Sequence, residues 1–348
     1  MNIKMAGLKT VITDKNKKNY FVMAREISTL WVRDKEFPKH YFLRLAYKKD
    51  SPDYKYFVPE AVLRKLWSAK ELNSPEVIEV LKNKIKFENF CIKEGFSTPR
   101  ILAHNEGASF FINEVELHIE SAEFFKAFLE EILEANNVTG IFLKPLAGIQ
   151  GRGCFKLQAE DLEDKQVLEN VLKTMLTSEY IIQGTIKQHR QLNKIHANSV
   201  NTIRLDTYID DTGEAKVLSG LMRFGVKGGI VDNARAGGFF MSVDLQKGVL
   251  KNVGLQPLSV GNNIYFEHPD TLIKLVDFPI PFVEEAKDLV KSAAEKLGGR
   301  FIGWDVAISE DGPMLVEGNS NYAIGMADTA YGGYMKHELF KEIVQKYA

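Results

Sequence analysis

The chain has 348 residues, 45% of them hydrophobic, and its 45 Lys and Arg against 46 Asp and Glu leave a net charge of −1. That length builds one large or two to three modest domains with a full core, and the charge balance excludes a nucleic-acid binder that works by bulk charge. Two cysteines, Cys91 and Cys154, stand far apart in no CxxC spacing, which excludes a disulfide framework and a cysteine zinc site.

No apolar run approaches the ~20 residues of a membrane span, and the first residues lack the apolar stretch of a signal peptide, so a soluble, cytoplasmic protein is expected. Residues 1–80 read as a mixed, partly helical extension rich in Lys and aromatics. Within it, Glu60–Leu72 has helical apolar spacing. Ser74-Pro75-Glu76 then opens a helix, with Ser as N-cap, Pro at the first position and an acid in the first turn. That helix, or a pair of them, carries Lys84 and stops near Gly95, ahead of the extended Thr98-Pro99 step.

Short strands are expected at Ile101-Leu102 and Ser109–Ile112, then a helix capped by Ser121 and reaching about Asn136. Gly140–Lys144 and Gly153–Leu157 read as strands around a glycine-bearing loop. A helix over Asp161–Leu176 and an apolar strand at Tyr180–Ile182 follow. Ser199–Ile209 alternates, turns at Asp210–Gly213 and returns over Ala215–Phe224. Gly237–Val243 reads as a strand and Pro281–Leu297 as the clearest helix, closed by Gly298-Gly299. The last strands are Phe301–Ser309 and Met314–Asn319, before a helix near the C-terminus, while 252–278 carries no legible role. Hairpins mixed with separate helices indicate an α+β fold rather than a βαβ series.

The sharpest chemistry lies in the last hairpin. A three-residue loop, Glu310-Asp311-Gly312, predicts Val306 opposite Val316 and Asp305 opposite Glu317. Val306, Ile308, Met314 and Val316 then share one face, and Asp305, Glu317 and Asn319 the other. Facing carboxylates repel. A hard divalent cation such as Mg²⁺ offsets that repulsion; a solvated acidic face or a pair sharing one proton are the alternatives. Upstream, Lys144 enters PLAGIQGRGCF, where Gly148, Gly151 and Gly153 build either an anion-binding nest, with Arg152 beside it, or a plain turn. Arg204 and Arg223 align on one face if Asp210–Gly213 is a four-residue loop. They then serve a phosphate or carboxylate, or form a structural pair such as Arg204 with Asp232. The loop with Asp232, Asn233, Arg235, Gly237 and Gly238 is a substrate loop or a connector. His189, His196 and His268 read as surface or capping residues; neither HExxH nor Gly-x-Ser-x-Gly is present.

Taken together, a strand lysine, a glycine lid, a hinge strand and an acid followed by Glu-x-Asn resemble the ATP-grasp superfamily. SVNTIRLDT, VDNARAGGFF, GWDVAISEDGP and LVEGNSN are similar to its sugar-transfer associated branch, related to alanine-alanine and glutamate-type ligases. The resemblance covers about residues 75–325 and implies two α+β subdomains (81–182 and 183–348) sandwiching ATP, after a short, largely helical extension (1–80). It implies Lys84 and Lys144 on the phosphates, Gly148–Gly153 as the lid, Gln183-Gly184-Thr185 as the adenine-reading hinge, and Asp305, Glu317 and Asn319 on Mg²⁺. Arg204 and Arg223 resemble arginines that face the transferred phosphate or acyl group. Two departures stand out. Gln183 occupies a position often taken by Glu, and no acid follows it to hold the ribose, which leaves His189 or Asn193 for that contact. The implied activity is a carboxylate–amine ligase using an acyl phosphate, with small-molecule partners such as a sugar acid and a role in surface-polysaccharide assembly. A kinase acting on a hydroxyl and a non-catalytic ATP-binding module are the alternatives.

Overall fold

The computed structural model describes residues 5–51, 53–113, 115–146 and 153–348. It opens with helices α1 (Met5–Thr13), α2 (Tyr20–Asp34), α3 (Lys39–Leu43), α4 (Glu60–Ser68), α5 (Pro75–Lys82) and α6 (Lys84–Lys93). The Ser74 hydroxyl caps α5 by accepting from the Val77 N–H, and Asn83 caps α6 by accepting from Ile85 and Lys86. Asn83 therefore splits the expected helix into two and puts Lys84 at a helix start. α2 escaped the sequence reading because its inward positions mix apolar and charged residues: Met23, Leu30 and Glu26.

Strands β1 (Ile101–Glu106), β2 (Ser109–Ile112) and β3 (Val115–His118), helix α7 (Ala122–Ala135), strands β4 (Gly140–Pro145) and β5 (Phe155–Gln158), helix α8 (Lys165–Met175) and strand β6 (Tyr180–Gly184) form the first layer pair. The sheet order is β3-β2-β1-β6-β4-β5, antiparallel throughout. Phe125, Phe128, Leu129 and Ile132 of α7 and Leu168, Val171 and Leu172 of α8 bury themselves with Ile141, Leu143 and Ile182 of the sheet. The i, i+3, i+4, i+7 spacing on α7 is what gives it one apolar stripe to bury.

After α9 (Arg190–Ile195), the second sheet contains β7 (Ile203–Ile209), β8 (Ala215–Phe224), β9 (Phe239–Asp244), β10 (Val249–Leu255), β11 (Ile264–Tyr265), β12 (Phe301–Ser309) and β13 (Gly312–Asn319), in the order β11-β10-β9-β8-β7-β12-β13. α10 (Val283–Leu297) lies between β11 and β12 in sequence and packs Ala286, Val290 and Ala293 onto Ile203, Leu205, Met222 and Val306. Residues 252–278, silent in the sequence, thus supply the end of β10 and the edge strand β11. Helices α11 (Ile324–Ala330) and α12 (Glu338–Tyr347) close the opposite face with Leu63, Leu66, Tyr208 and Phe301. All strand pairings among the described residues are antiparallel, as an α+β fold requires. No helix is long and apolar enough to cross a membrane among the described residues.

In two hairpins a bulge, and not the loop length, sets which side chains share a face. The last one turns on Glu310-Asp311 alone, with Ser309 opposite Gly312 and Val306 opposite Leu315. Left uncorrected, that register would set Asp305 against Val316. A bulge at Val316 restores Asp305 opposite Glu317, moves Leu315 into the core with Val306 and Ile308, and leaves Val316 outside it. In the β7–β8 hairpin the loop is five residues long, with Ile209 opposite Ala215. A second bulge, at Leu218, sets Arg204 opposite Leu221, so that Arg223, two residues on, shares the face of Arg204. One extra residue reverses every later side chain. Both carboxylates and both arginines owe their common face to such an insertion.

Candidate functional site

A cavity of 940 Å³ lies between the two sheets, bounded by β4 and β6 on one side and by β7, β8, β12 and β13 on the other. Asp305, Glu317 and Asn319 all line it. The Asn319 amide donates to Glu317 Oε1 at 3.3 Å, which fixes these two side chains on one face. Asp305 is 1% exposed and takes both arginines: Arg204 Nε at 2.5 Å on Oδ1 and Arg223 Nη2 at 2.9 Å on Oδ2. Burial alone would raise its pKa, but the two guanidiniums hold it well below the usual carboxylate range. Glu317 moves the other way, pushed up by burial and by the Asp305 charge beside it. Asp305 is thus the more acidic of the two carboxyl groups.

The expected pairing of Arg204 with Asp232 does not occur. Asp232 instead lies 3.4 Å from Arg223 Nε and accepts from the Thr202 N–H and hydroxyl. The arginines are therefore both structural and cavity-lining: each neutralises Asp305, and each borders the open volume.

Opposite this wall stands Lys144 on β4, 5.6 Å above the Phe142 ring. Burial and the neighbouring Lys84 lower its pKa, and Glu317, Cys154 and Asp305 pull it back up. Lys84, at the N-terminus of α6, donates to the Leu146 carbonyl at 3.0 Å. Gly148, Gly151 and Arg152 lie outside the described residues. Gly153 does not; its φ of +74° is one that side chains rarely adopt, and its carbonyl accepts from the Tyr180 hydroxyl at 2.9 Å.

Gln183 is central in the first sheet, flanked by Phe142 and Ile101, and 6% exposed. Its Nε2 donates to the Pro99 carbonyl at 2.8 Å while Oε1 has no partner, so a buried acceptor is turned loose beside the cavity that Gln183 lines. Gly184 and Thr185 line the same space, although the Thr185 hydroxyl is engaged by Gly140 O. His189 is not in the cavity wall: it caps α9 through Nδ1 and packs on Phe282. Asn193 borders the cavity with both amide atoms tied to Gln188. Neither residue is set out for a ribose.

Of the loop residues, Asp232, Asn233 and Arg235 border the cavity. Asn233 caps the short turn by accepting from the Arg235 N–H. Gly237 and Gly238 do not border it: Gly237 takes a φ of +108°, and Gly238 lets the chain pass close to β8, since a Cβ there would meet the Phe224 carbonyl at 2.4 Å. His196 and His268, expected at the surface, are 4% and 0% exposed, with rings 5.3 Å apart and pKa values lowered by burial. Cys91 and Cys154 are both free thiols.

Sequence reasoning missed Asp206, which sits two residues beyond Arg204 on the same strand and face. Ser219 donates to its Oδ2 at 2.7 Å, and its Oδ1 has no partner. Burial pushes its pKa up to about 7, against the pull of Arg204. Between the unfolded value near 4 and the folded value near 7 the native state keeps a proton that the unfolded chain has released, so stability falls as pH rises through that window. Asp206→Asn is expected to flatten this fall; melting temperatures at pH 5 and 8 check it, and an unchanged slope refutes the assignment.

The donor set suits a hard cation. Two carboxylates and an amide, all oxygen donors, line one wall of the cavity, the donor chemistry that a hard divalent cation takes. Asp305 accepts from the arginines and still has lone pairs to share.

Two antiparallel, helix-covered sheets closing on a cavity, with lysines on one wall and arginine-braced carboxylates on the other, define an ATP-grasp fold. The chain belongs to the sugar-transfer associated ATP-grasp family, whose model matches residues 67–344. No curated protein matches it. Among solved structures it is similar to the ATP-grasp ligase PsnB complexed with minimal precursor, Mg and ADP, at 15% identity and a TM-score of 0.43, over 79% of this chain and 62% of that one. It is also similar to D-alanyl-alanine synthetase A from Vibrio cholerae O1 biovar eltor, at 12% identity and a TM-score of 0.45, over 78% and 67% of the two chains. The chain thus spans less than two thirds of the length of PsnB.

Proposed function

We propose that the protein is an ATP-dependent carboxylate–amine ligase, with residues 81–182 and 183–348 as the two halves of the grip and 1–80 as an added wall. A substrate carboxylate oxygen attacks the γ-phosphorus of ATP and ADP leaves. The amine nitrogen then attacks the acyl carbon, loses a proton, and expels phosphate to leave an amide. The observation that carries this reading is the opposition of Lys84 and Lys144 to Asp305, Glu317 and Asn319 across one cavity.

The residue roles follow from charge. Asp305, Glu317 and Asn319 would hold Mg²⁺, which when bound neutralises phosphate charge and aligns the phosphate oxygens. Lys84 and Lys144 offset charge on the phosphates, and Lys144, desolvated in the wall, interacts more strongly than it would in water. Arg204 and Arg223 hold Asp305 ionised and face the group being transferred. Gln183 offers its free Oε1 to the adenine amine, with Gly184 and Thr185 beside it. The resemblance implies a lid at Gly148, Gly151, Arg152 and Gly153, whose role would be to keep water from the acyl phosphate. Asp232, Asn233 and Arg235 border the acceptor side, where a sugar acid or an amine-bearing partner in polysaccharide assembly would enter.

The test is phosphate release from ATP and Mg²⁺ by the intact chain against panels of carboxylates and amines, with mass spectrometry of the products. Release that needs both co-substrates, together with an amide product, is the expected result. A stable phosphoester formed from a hydroxyl compound would make the protein a kinase instead, and tight ATP binding with no turnover on any panel would make it a binding module.

A further inference from the structure

Helices α1 and α2 are given no residue role in the reading above, and their surface is unlike the rest of the molecule. Residues 5–49 contain eleven Lys and Arg against four Asp and Glu, a net of +7, so the remainder of a chain of net −1 carries −8. Folding sharpens the contrast, because all four acids are drawn inward. Asp14 pairs with Lys48 at 3.0 Å, Glu26 with Lys18 at 2.9 Å and Tyr41 at 2.6 Å, Asp34 with Arg33 at 2.5 Å, and Glu36 with Arg64 at 2.7 Å; none of the four is exposed. Lys9, Lys15, Arg25, Arg33, Lys35 and Lys49 are exposed.

Large apolar side chains stand out among those cations. On α2 the outward stripe at helical spacing is Phe21, Ala24, Arg25, Ser28, Trp31 and Val32, continuing to the cap Lys35, all exposed and without a carboxylate. Phe21 is 83% exposed and Val32 81%; on α1, Leu8 and Ile12 are each 51% exposed one turn apart. An ordinary solvent-facing helix stripe mixes charges of both signs and does not hold Phe and Val almost fully in water. Cations flanking protruding apolar and Trp side chains on a convex helix face are what an anionic bilayer surface takes up: lipid needs no complementary pocket, and headgroups answer the lysines. A protein partner would instead have to supply shaped holes for Phe21 and Val32.

We infer that the outward face of α2 docks the protein on an anionic lipid surface, laying Phe21, Trp31 and Val32 into the headgroup boundary while Arg25 and Lys35 meet lipid phosphates. This is peripheral attachment, distant in sequence from the ATP-grasp residues and independent of the ligase reading.

The experiment is co-sedimentation of the full chain with vesicles of equal parts phosphatidylcholine and phosphatidylglycerol, and with vesicles of phosphatidylcholine alone. Binding to the anionic vesicles only, weakened by added salt, is expected. Phe21→Ser with Val32→Ser should weaken it by about tenfold or more, with melting temperature and circular dichroism unchanged, because both side chains lie outside the core. Arg25→Gln and Lys35→Gln together should weaken binding to the anionic vesicles and reduce its salt dependence. Absence of binding to anionic vesicles, or equal binding to neutral ones, overturns the inference. So does a concentration-dependent dimer that the Phe21/Val32 variant abolishes while vesicle binding is missing, since the face would then join two copies of this chain.

Discussion

Glu317→Gln is expected to lower Mg²⁺-dependent ATP turnover by ~10²–10³-fold while leaving the melting temperature unchanged or slightly raised. Glu317 faces Asp305 across the β12–β13 hairpin; burial and the Asp305 charge push the Glu317 carboxyl up, while a hydrogen bond with Glu317 helps the two arginines hold Asp305 down. Replacing Glu317 by a neutral isostere of the same shape keeps a hydrogen-bonding partner beside Asp305 and removes the carboxylate that a cation would need. Asp305 behaves differently, because it also holds Arg204 and Arg223. Asp305→Asn leaves the Arg204 guanidinium without its carboxylate partner and Arg223 with Asp232 alone, and should cost stability of ~3–5 kcal/mol as well as activity. Turnover assays paired with thermal melts separate the two effects. Wild-type turnover in Glu317→Gln would end the metal assignment.

Asp328→Ala is expected to be the most damaging single change outside the cavity, at ~3–5 kcal/mol. This carboxylate on α11 is fully buried, and its pKa is pushed up to about 6 by burial against the pull of Arg44. Oδ2 accepts from Arg44 Nε at 3.0 Å and from the Val58 N–H at 3.0 Å, and Oδ1 accepts from the Tyr334 N–H at 2.8 Å. One residue therefore ties the N-terminal helices to the C-terminal ones; removing it orphans two backbone donors and leaves Arg44 only Glu60, at 3.1 Å. Asp328→Asn keeps an acceptor and should cost less, and Asp328→Leu combined with Arg44→Met should recover part of the loss because no charge is left unpaired. Urea denaturation of the three variants measures this. If Asp328→Ala loses less than about 1 kcal/mol, the hub carries no special weight.

Much of the fold was legible because its signals are local. Ser74-Pro75-Glu76 opens α5 since a hydroxyl acceptor, a fixed φ and an acid all act within one turn, and the apolar stripe of α10 needs no partner to be recognised. α2 was illegible for a complementary reason: Glu26 points into the core to meet Lys18 and Tyr41, so the inward stripe does not read as apolar. His268 escaped the surface-or-capping reading because a histidine buried in loop packing, its Nε2 on the Gly225 carbonyl, looks in sequence like one at the surface, and His196, although at the C-cap of α9, is likewise buried.

The residue types of the candidate site were set by the sequence alone: acids and an amide at alternating positions on a strand, a strand lysine, two arginines on a hairpin. Which of them meet was decided only in three dimensions. Both loops are a residue off the length that would align the pairs, and the bulges at Val316 and Leu218 compensate. A bulge costs and gains little locally, so nothing in the flanking residues announces it. Its place is chosen by the whole sheet, which buries Leu315 and Val306 on one side and must then bring Asp305, Glu317, Arg204 and Arg223 out on the other.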